Sequence, residues 1–206
     1  MLAVALILAA AAPVRLPPVE QCVGDPDFNR VRRQLERVVE ARDMDGLLSL
    51  TSDDVRASFG GRSGREGFTD FWTAASEDRE LLWTELRSAL RLGCAQAKDG
   101  EGKPYRAMPG MFVTGDDLDG FSTWVALPGA VLRRQANAGS PAEMRLPAWT
   151  VLTEVDHVGG SWIQVRTPRG RGGYVSTEQA RSLLDYRIIF GRRDGEWRIT
   201  AFVAGD

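Results

Sequence analysis

Apolar positions in the chain follow two periods that exchange at identifiable places. From residue 25 the spacing is helical: Phe28, Val31, Leu35 and Val38 share one face, behind Asp25 as cap and Pro26 in the first turn. Asp43, Asp45 and Gly46 break that helix, and Leu47, Leu48 and Leu50 predict a short second one. Val55, Ala57 and Phe59 then alternate with Arg56 and Ser58, the mark of a half-buried strand ending at Gly60-Gly61. Ser63 and Glu66 form a capping-box pattern ahead of Phe68, Phe71, Trp72 and Ala75. Another helix is predicted from near Ser76 through Leu82, Leu86, Ala89 and Leu90, with Gly93 as its C-cap. The polar stretch Ala95 to Lys103 predicts a loop, and Tyr105 to Val113 a strand that Pro109 confines to an edge or a bulge.

Beyond Phe121 the period becomes two. Val131-Leu132-Arg133 opens a strand, Ala136 to Ala142 is a loop, and Trp149 to Val155 is dense in β-formers. In Trp162-Ile163-Gln164-Val165-Arg166 the alternation gives Ile163 and Val165 to a core and Trp162, Gln164 and Arg166 to the opposite face. Gly173-Tyr174-Val175 follows a Pro168 to Gly172 turn, and Ser176 to Leu184 is expected to leave as a short helix. The tail, Tyr186 to Phe190 and Trp197 to Val203 around Asp194-Gly195, is a β-hairpin. Two strands alone are marginal in water, so the hairpin is expected to pair with the strands near Val55 to Phe59 and Tyr105 to Val113.

Leu132-Arg133, Gly139-Ser140-Pro141, Val151, Trp162, Val165, Gly170 and Gly173-Tyr174-Val175 occur in the order of a bacterial SH3 domain, which residues 121–184 resemble. Against that family's pattern, the usual Asn-Val-Arg of the first strand is missing. The flanking region, with its opening helix, Arg42-Asp43, Asp53-Asp54-Val55 and Gly195-x-Trp197-x-Ile199, resembles the nuclear-transport-factor-two-like cone. The fold class expected is therefore α+β: a helix-covered antiparallel sheet with an inserted small all-β SH3-like barrel. Residues 20–118 and 185–206 would form a discontinuous α+β domain, and residues 119–184 the barrel.

Met1 to Ala12 is an apolar run of signal-peptide length, too short to span a bilayer, with Ala9 and Ala11 as a small-x-small cleavage site. A signal peptide over residues 1–11 is expected, although no basic residue precedes the run; a buried N-terminal helix is the alternative. The two cysteines, Cys22 and Cys94, are expected to form a disulfide in an oxidising compartment, with two free core thiols as the other reading. Together these features predict a periplasmic or secreted protein without an integral membrane segment in its mature chain. A formal charge of −2 gives no electrostatic case for nucleic acid as a partner.

Catalytic chemistry finds few residues to use. His157 is the only histidine, so a multi-histidine metal site cannot be assembled. Pairing of the cysteines removes a Cys-His nucleophile, and Lys98 and Lys103 are the only lysines for a Ser-Lys dyad. The acidic run Asp116 to Asp119 does not fit a calcium-loop register, and no phosphate-cradling glycine motif occurs, so no cofactor or metal is expected. What remains is a binding surface. Trp162, Tyr174, Trp149, Arg166 and Arg171 are the candidate ligand-binding residues, with packing as the competing role for the aromatic ones. The reading is an exported, non-catalytic SH3-like protein that binds a cell-wall peptide, another peptide-like envelope ligand or an envelope protein. Two alternatives stand beside it: an enzyme with a carboxylate-lined cavity in the α+β domain, and a structural subunit of an envelope assembly.

Overall fold

The computed structural model describes residues 14–74, 80–158 and 160–205. The expected signal peptide, the segment around Ala75 and Ser76 and Gly159 lie outside the described residues. The chain forms two compact units: residues 17–121 with 183–206, and residues 122–182 joined by 14–16.

The first unit begins with β1 (Val19–Glu20), α1 (Pro26–Ala41), α2 (Met44–Leu50) and β2 (Thr51–Arg56). It continues through α3 (Gly64–Ala74), α4 (Leu81–Leu90), β3 (Gly93–Lys98), β4 (Pro104–Met108) and α5 (Met111–Thr114). The second unit supplies β5 (Thr123–Ala126), β6 (Val131–Arg133), β7 (Ala142–Arg145), β8 (Val151–His157), β9 (Trp162–Arg166), β10 (Gly172–Ser176) and β11 (Ala180–Ser182). The chain then returns to the first unit as β12 (Arg187–Arg193) and β13 (Glu196–Val203).

The α+β character expected from the sequence is present. In the first unit, six strands run in the order β1-β3-β4-β12-β13-β2. The tail hairpin sits inside this sheet, β12 pairing with β4 and β13 with β2. Asp194 (φ 50°) and Gly195 (φ 83°) make its two-residue turn, both with the positive φ that matches right-handed strand twist. The β1–β3 and β13–β2 pairings are parallel and the central ones antiparallel. Alternation along β12 sends Ile188 and Phe190 into the core under the helices, where Phe28 meets Phe190 and Trp197 edge-on at 5.1 and 5.7 Å. Trp72 stacks on Phe202 at 5.2 Å in the same core.

Two first-unit expectations need correction. Residues 95–98 of the predicted loop belong to β3, a strand of small residues that buries Cys94 and Ala95 between β1 and β4. Gly93 (φ 75°) opens it because a Cβ there would lie 2.1 Å from the Val19 carbonyl oxygen. The strand predicted to reach Val113 ends at Met108, before the cis Met108–Pro109 bond and α5.

In the second unit, seven strands run in the order β11-β5-β8-β9-β10-β6-β7. The ladder does not close, which corrects the expected SH3-like barrel: β11 and β7 are its two edges. The predicted helical exit is a 3-10 turn, Thr177–Gln179, followed by β11 paired to β5. Residues 14–16 add to this unit, Leu16 N–H donating to the Trp149 carbonyl at 2.9 Å and Val151 N–H to that of Val14 at 3.0 Å. Leu132, Leu152, Ile163, Val165 and Val175 are its buried centre.

Candidate functional site

The β9–β10 hairpin holds three of the five residues singled out in the sequence. Directly opposed residues of an antiparallel pair share a face. Tyr174 opposes Gln164, Trp162 opposes Ser176 and Arg166 opposes Gly172, so Trp162, Tyr174 and Arg166 stand on one face. Ile163, Val165 and Val175 fill the other, all fully buried. Trp162 and Tyr174 are half-buried and Arg166 is exposed. Because Trp162 lies on the outward face, Trp162→Ala is expected to cost about 1 kcal/mol, well under the about 3–5 kcal/mol of a core aromatic deletion, measured by urea unfolding.

Trp149 falls elsewhere. It was expected in a strand, but sits in the loop before β8 at φ 67°. Its backbone is fully used, N–H donating to the Ala126 carbonyl at 2.6 Å while its own carbonyl accepts from Leu16.

Arg171 belongs to a concavity of about 520 Å³ in this unit. Met144, Leu146 and Pro147 give it an apolar floor, and Arg15, Arg169 and Arg171 give it positive charge. A closed turn presents the last two: Gly170 N–H donates to the Thr167 carbonyl at 2.8 Å, Thr167 N–H to that of Arg171 at 2.9 Å, and Arg171 N–H to Thr167 Oγ1 at 3.1 Å. Glu143 stands nearby, hydrogen-bonded by Arg134 Nε at 2.8 Å and 3.8 Å from Arg171. That hydrogen bond, with the charges of Arg134 and Arg171, holds its carboxyl below the ordinary value. Arg15 is the cation that sequence reading does not reach. Arg15 joins from more than a hundred residues away through its bridge to Thr150, a contact no local pattern announces.

The α+β unit contains a larger cavity, about 750 Å³. It lies over the sheet face opposite the core under α1 to α4, since Ile189 and Gly191 line it while their neighbours Ile188 and Phe190 face that core. Arg56, Lys98, Lys103, Arg187, Arg192 and Arg193 bring positive charge, and Asp99 is the single acidic residue in the lining. This lining is basic, unlike the carboxylate-lined cavity of the alternative reading. Arg187 is only 4% exposed. Its guanidinium donates to the Leu184 carbonyl at 3.3 Å and the Gly205 carbonyl at 2.7 Å, and lies 4.4 Å from the centre of the Phe112 ring and 5.6 Å from that of Phe59. Burial, ahead of the charges of Asp116 and Asp99, pushes the Tyr105 hydroxyl in the lining above its ordinary value.

Cys22 and Cys94 are joined as a disulfide. With Glu20 they form the one acidic and cysteine cluster of metal-site dimensions among the described residues, and the bridge removes both thiolates as ligands. No described helix is long and apolar enough to cross a membrane.

Neither a model of a protein family nor a curated protein matches the sequence. Among solved structures, a match covers 86% of this chain and 84% of that chain at 13% identity and a TM-score of 0.30; it is the crystal structure of LinA. At this TM-score the likeness is faint: it assigns the chain no reaction, and the expectation that the chain is not an enzyme is withdrawn.

Proposed function

We propose that the second unit is a binding module for a carboxylate-bearing, peptide-like ligand of the cell envelope. The observation that carries the reading is the concavity where Arg15, Arg169 and Arg171 surround the apolar floor of Met144, Leu146 and Pro147. A peptide offers both kinds of partner, apolar side chains for the floor and carboxylates for planar guanidinium groups. Trp162, Tyr174 and Arg166 extend the offer along the β9–β10 face, where an aromatic surface can take peptide or sugar. The Cys22–Cys94 disulfide is compatible with export to an oxidising compartment.

The test is calorimetric titration of the oxidised protein with soluble muramyl peptides carrying free carboxylates. Arg169→Glu combined with Arg171→Glu is expected to weaken binding at least about tenfold, corresponding to about 1.4 kcal/mol, while leaving unfolding unchanged because both residues are exposed. Equal affinity of the parent and this variant would remove the concavity as the site.

A further inference from the structure

Resting on the assignment of the Arg15 concavity as the ligand site, we propose that this site reads the end of a peptide chain. A free C-terminal carboxylate is held by Arg15 and Arg169, and the last side chain, an apolar one, lies on Met144, Leu146 and Pro147. The ligand's main chain pairs with Arg145 at the free edge of β7.

The charge of the lining is met by a protein carboxylate in one place and left open in two. Arg171 stands 3.8 Å from Glu143, which Arg134 also holds at 2.8 Å. Arg15 and Arg169 are exposed and make no ion pair among the described residues. They are also neighbours. β9 runs along one flank of β8 as far as Arg166, opposite Thr153, while β5 takes the other flank. Ala126 N–H donates to the Thr150 carbonyl at 2.9 Å on the β5 flank, so the Arg15–Thr150 bridge lies on the β9 flank. From Thr153 to Thr150 is about 10 Å of strand, and the turn that carries Arg169 begins in that gap. Side chains as long as arginine's converge on one carboxylate across it.

The ligand's backbone has a partner as well. The lining takes no residue from β6 among the described residues, which puts the concavity beside β7 on its free edge. Leu146 N–H donates to the Ala130 carbonyl at 2.9 Å, making these two a bonded pair of the β6–β7 ladder. Bonded and non-bonded pairs alternate in an antiparallel ladder, so at the next pair, Val131 and Arg145, the N–H and carbonyl of Arg145 turn outward. Beyond Leu132 and Met144 the register shifts, and the regular edge stops. A long ligand strand finds no further edge there, whereas a chain end needs only one pair. A terminal residue also supplies carboxylate and side chain from a single Cα. An internal aspartate or glutamate spends its side chain on the carboxylate and leaves the apolar floor bare.

Titration calorimetry of the intact oxidised chain tests this with a short all-L peptide of alternating threonine and valine that ends in valine. It is used as the free acid, as the C-terminal amide, as a free acid ending in glycine and as an amide ending in glutamate. The valine acid is expected to bind at least about tenfold more tightly than each of the others. Arg15→Ala with Arg169→Ala, both on exposed side chains, should bring the acid down to the affinity of the amide. Arg145→Pro removes an N–H that the ladder does not use and should weaken the acid where Arg145→Ala does not. The Arg145 amide should also gain hydrogen-exchange protection when the acid is added. If the glutamate amide binds as tightly as the acid and the arginine variant weakens both, the chain-end proposal is overturned and the concavity stands as a carboxylate site. Equal effects of Arg145→Pro and Arg145→Ala, with no added protection at Arg145, also overturn the proposal. Binding of the acid that the arginine variant leaves unchanged, or no binding of any form, removes the proposal and the concavity together.

Discussion

Removing the Cys22–Cys94 bridge is expected to destabilise the α+β unit by about 4 kcal/mol. The bond spans 72 positions, and α1 to α4 lie within the loop it closes. Reducing it restores to the unfolded chain the freedom of that whole loop. The folded state gains nothing in return, because both sulfur-bearing residues stay buried in the core and the β1 strap loses its covalent tie to β3. Urea unfolding of a Cys22→Ser, Cys94→Ser double variant measures the effect without leaving a thiol that could pair elsewhere. A midpoint within a few tenths of a kcal/mol of the parent would show that the bridge constrains little.

Asp25→Ala is expected to cost about 3 kcal/mol, the next largest effect. Its Oδ1 accepts from Phe28 N–H at 3.0 Å and so caps α1, while its Oδ2 accepts from Trp197 Nε1 at 3.0 Å. Arg106 and Arg192 stand 3.6 and 3.9 Å from the same carboxylate, and both guanidinium groups lie over the Trp197 ring. One residue thus ties the start of the first helix to the last strand. Alanine would leave the α1 N–H and the indole N–H without this acceptor. Asparagine keeps the cap and one acceptor but not the charge, so Asp25→Asn should cost about half as much.

The same carboxylate predicts a pH dependence. Burial alone would raise its pKa, but the hydrogen bonds from Phe28 and Trp197 and the charges of Arg106 and Arg192 prevail and lower it below the usual carboxylate value. A carboxyl whose folded pKa is depressed contributes stability above its unfolded pKa and loses it as pH falls through the folded one. The parent should therefore lose stability on acidification below the ordinary aspartate range, with a shallower loss in Asp25→Asn, seen as unfolding midpoints between pH 5 and about pH 2.

The elements with strong periodicity were legible in the sequence. Asp25-Pro26 gave the start of α1, the Trp162 to Arg166 alternation gave β9 with its buried and outward faces, and Asp194-Gly195 gave the final hairpin. The need of that hairpin for partners pointed to β2 and β4, which it has. What was not legible lacked either side chains or locality. Ala95, Gln96 and Ala97 carry no β-branched or aromatic signal, and β3 is a strand because β1, β4 and the disulfide hold it on three sides. The open end of the second sheet depends on Ala180–Ser182 pairing with β5, more than fifty residues away, which local patterning reads as a continuing helix.

The candidate sites divide in the same way. Trp162, Tyr174 and Arg166 could be placed together from period two alone. Arg15 joins Arg169 and Arg171 only through the β-bridge at Thr150. The basic cavity draws Arg56, Lys98 and Arg187 from three strands distant in sequence, so its charge was invisible to inspection.

Cosedimentation with purified peptidoglycan sacculi tests the central claim most directly, using the oxidised protein beside Trp162→Ala and the Arg169→Glu, Arg171→Glu variant, with folding of each checked by circular dichroism. Binding through the second unit predicts that the parent sediments, that the arginine variant stays in the supernatant and that Trp162→Ala is reduced. Sedimentation of all three proteins alike, or of none, would contradict it.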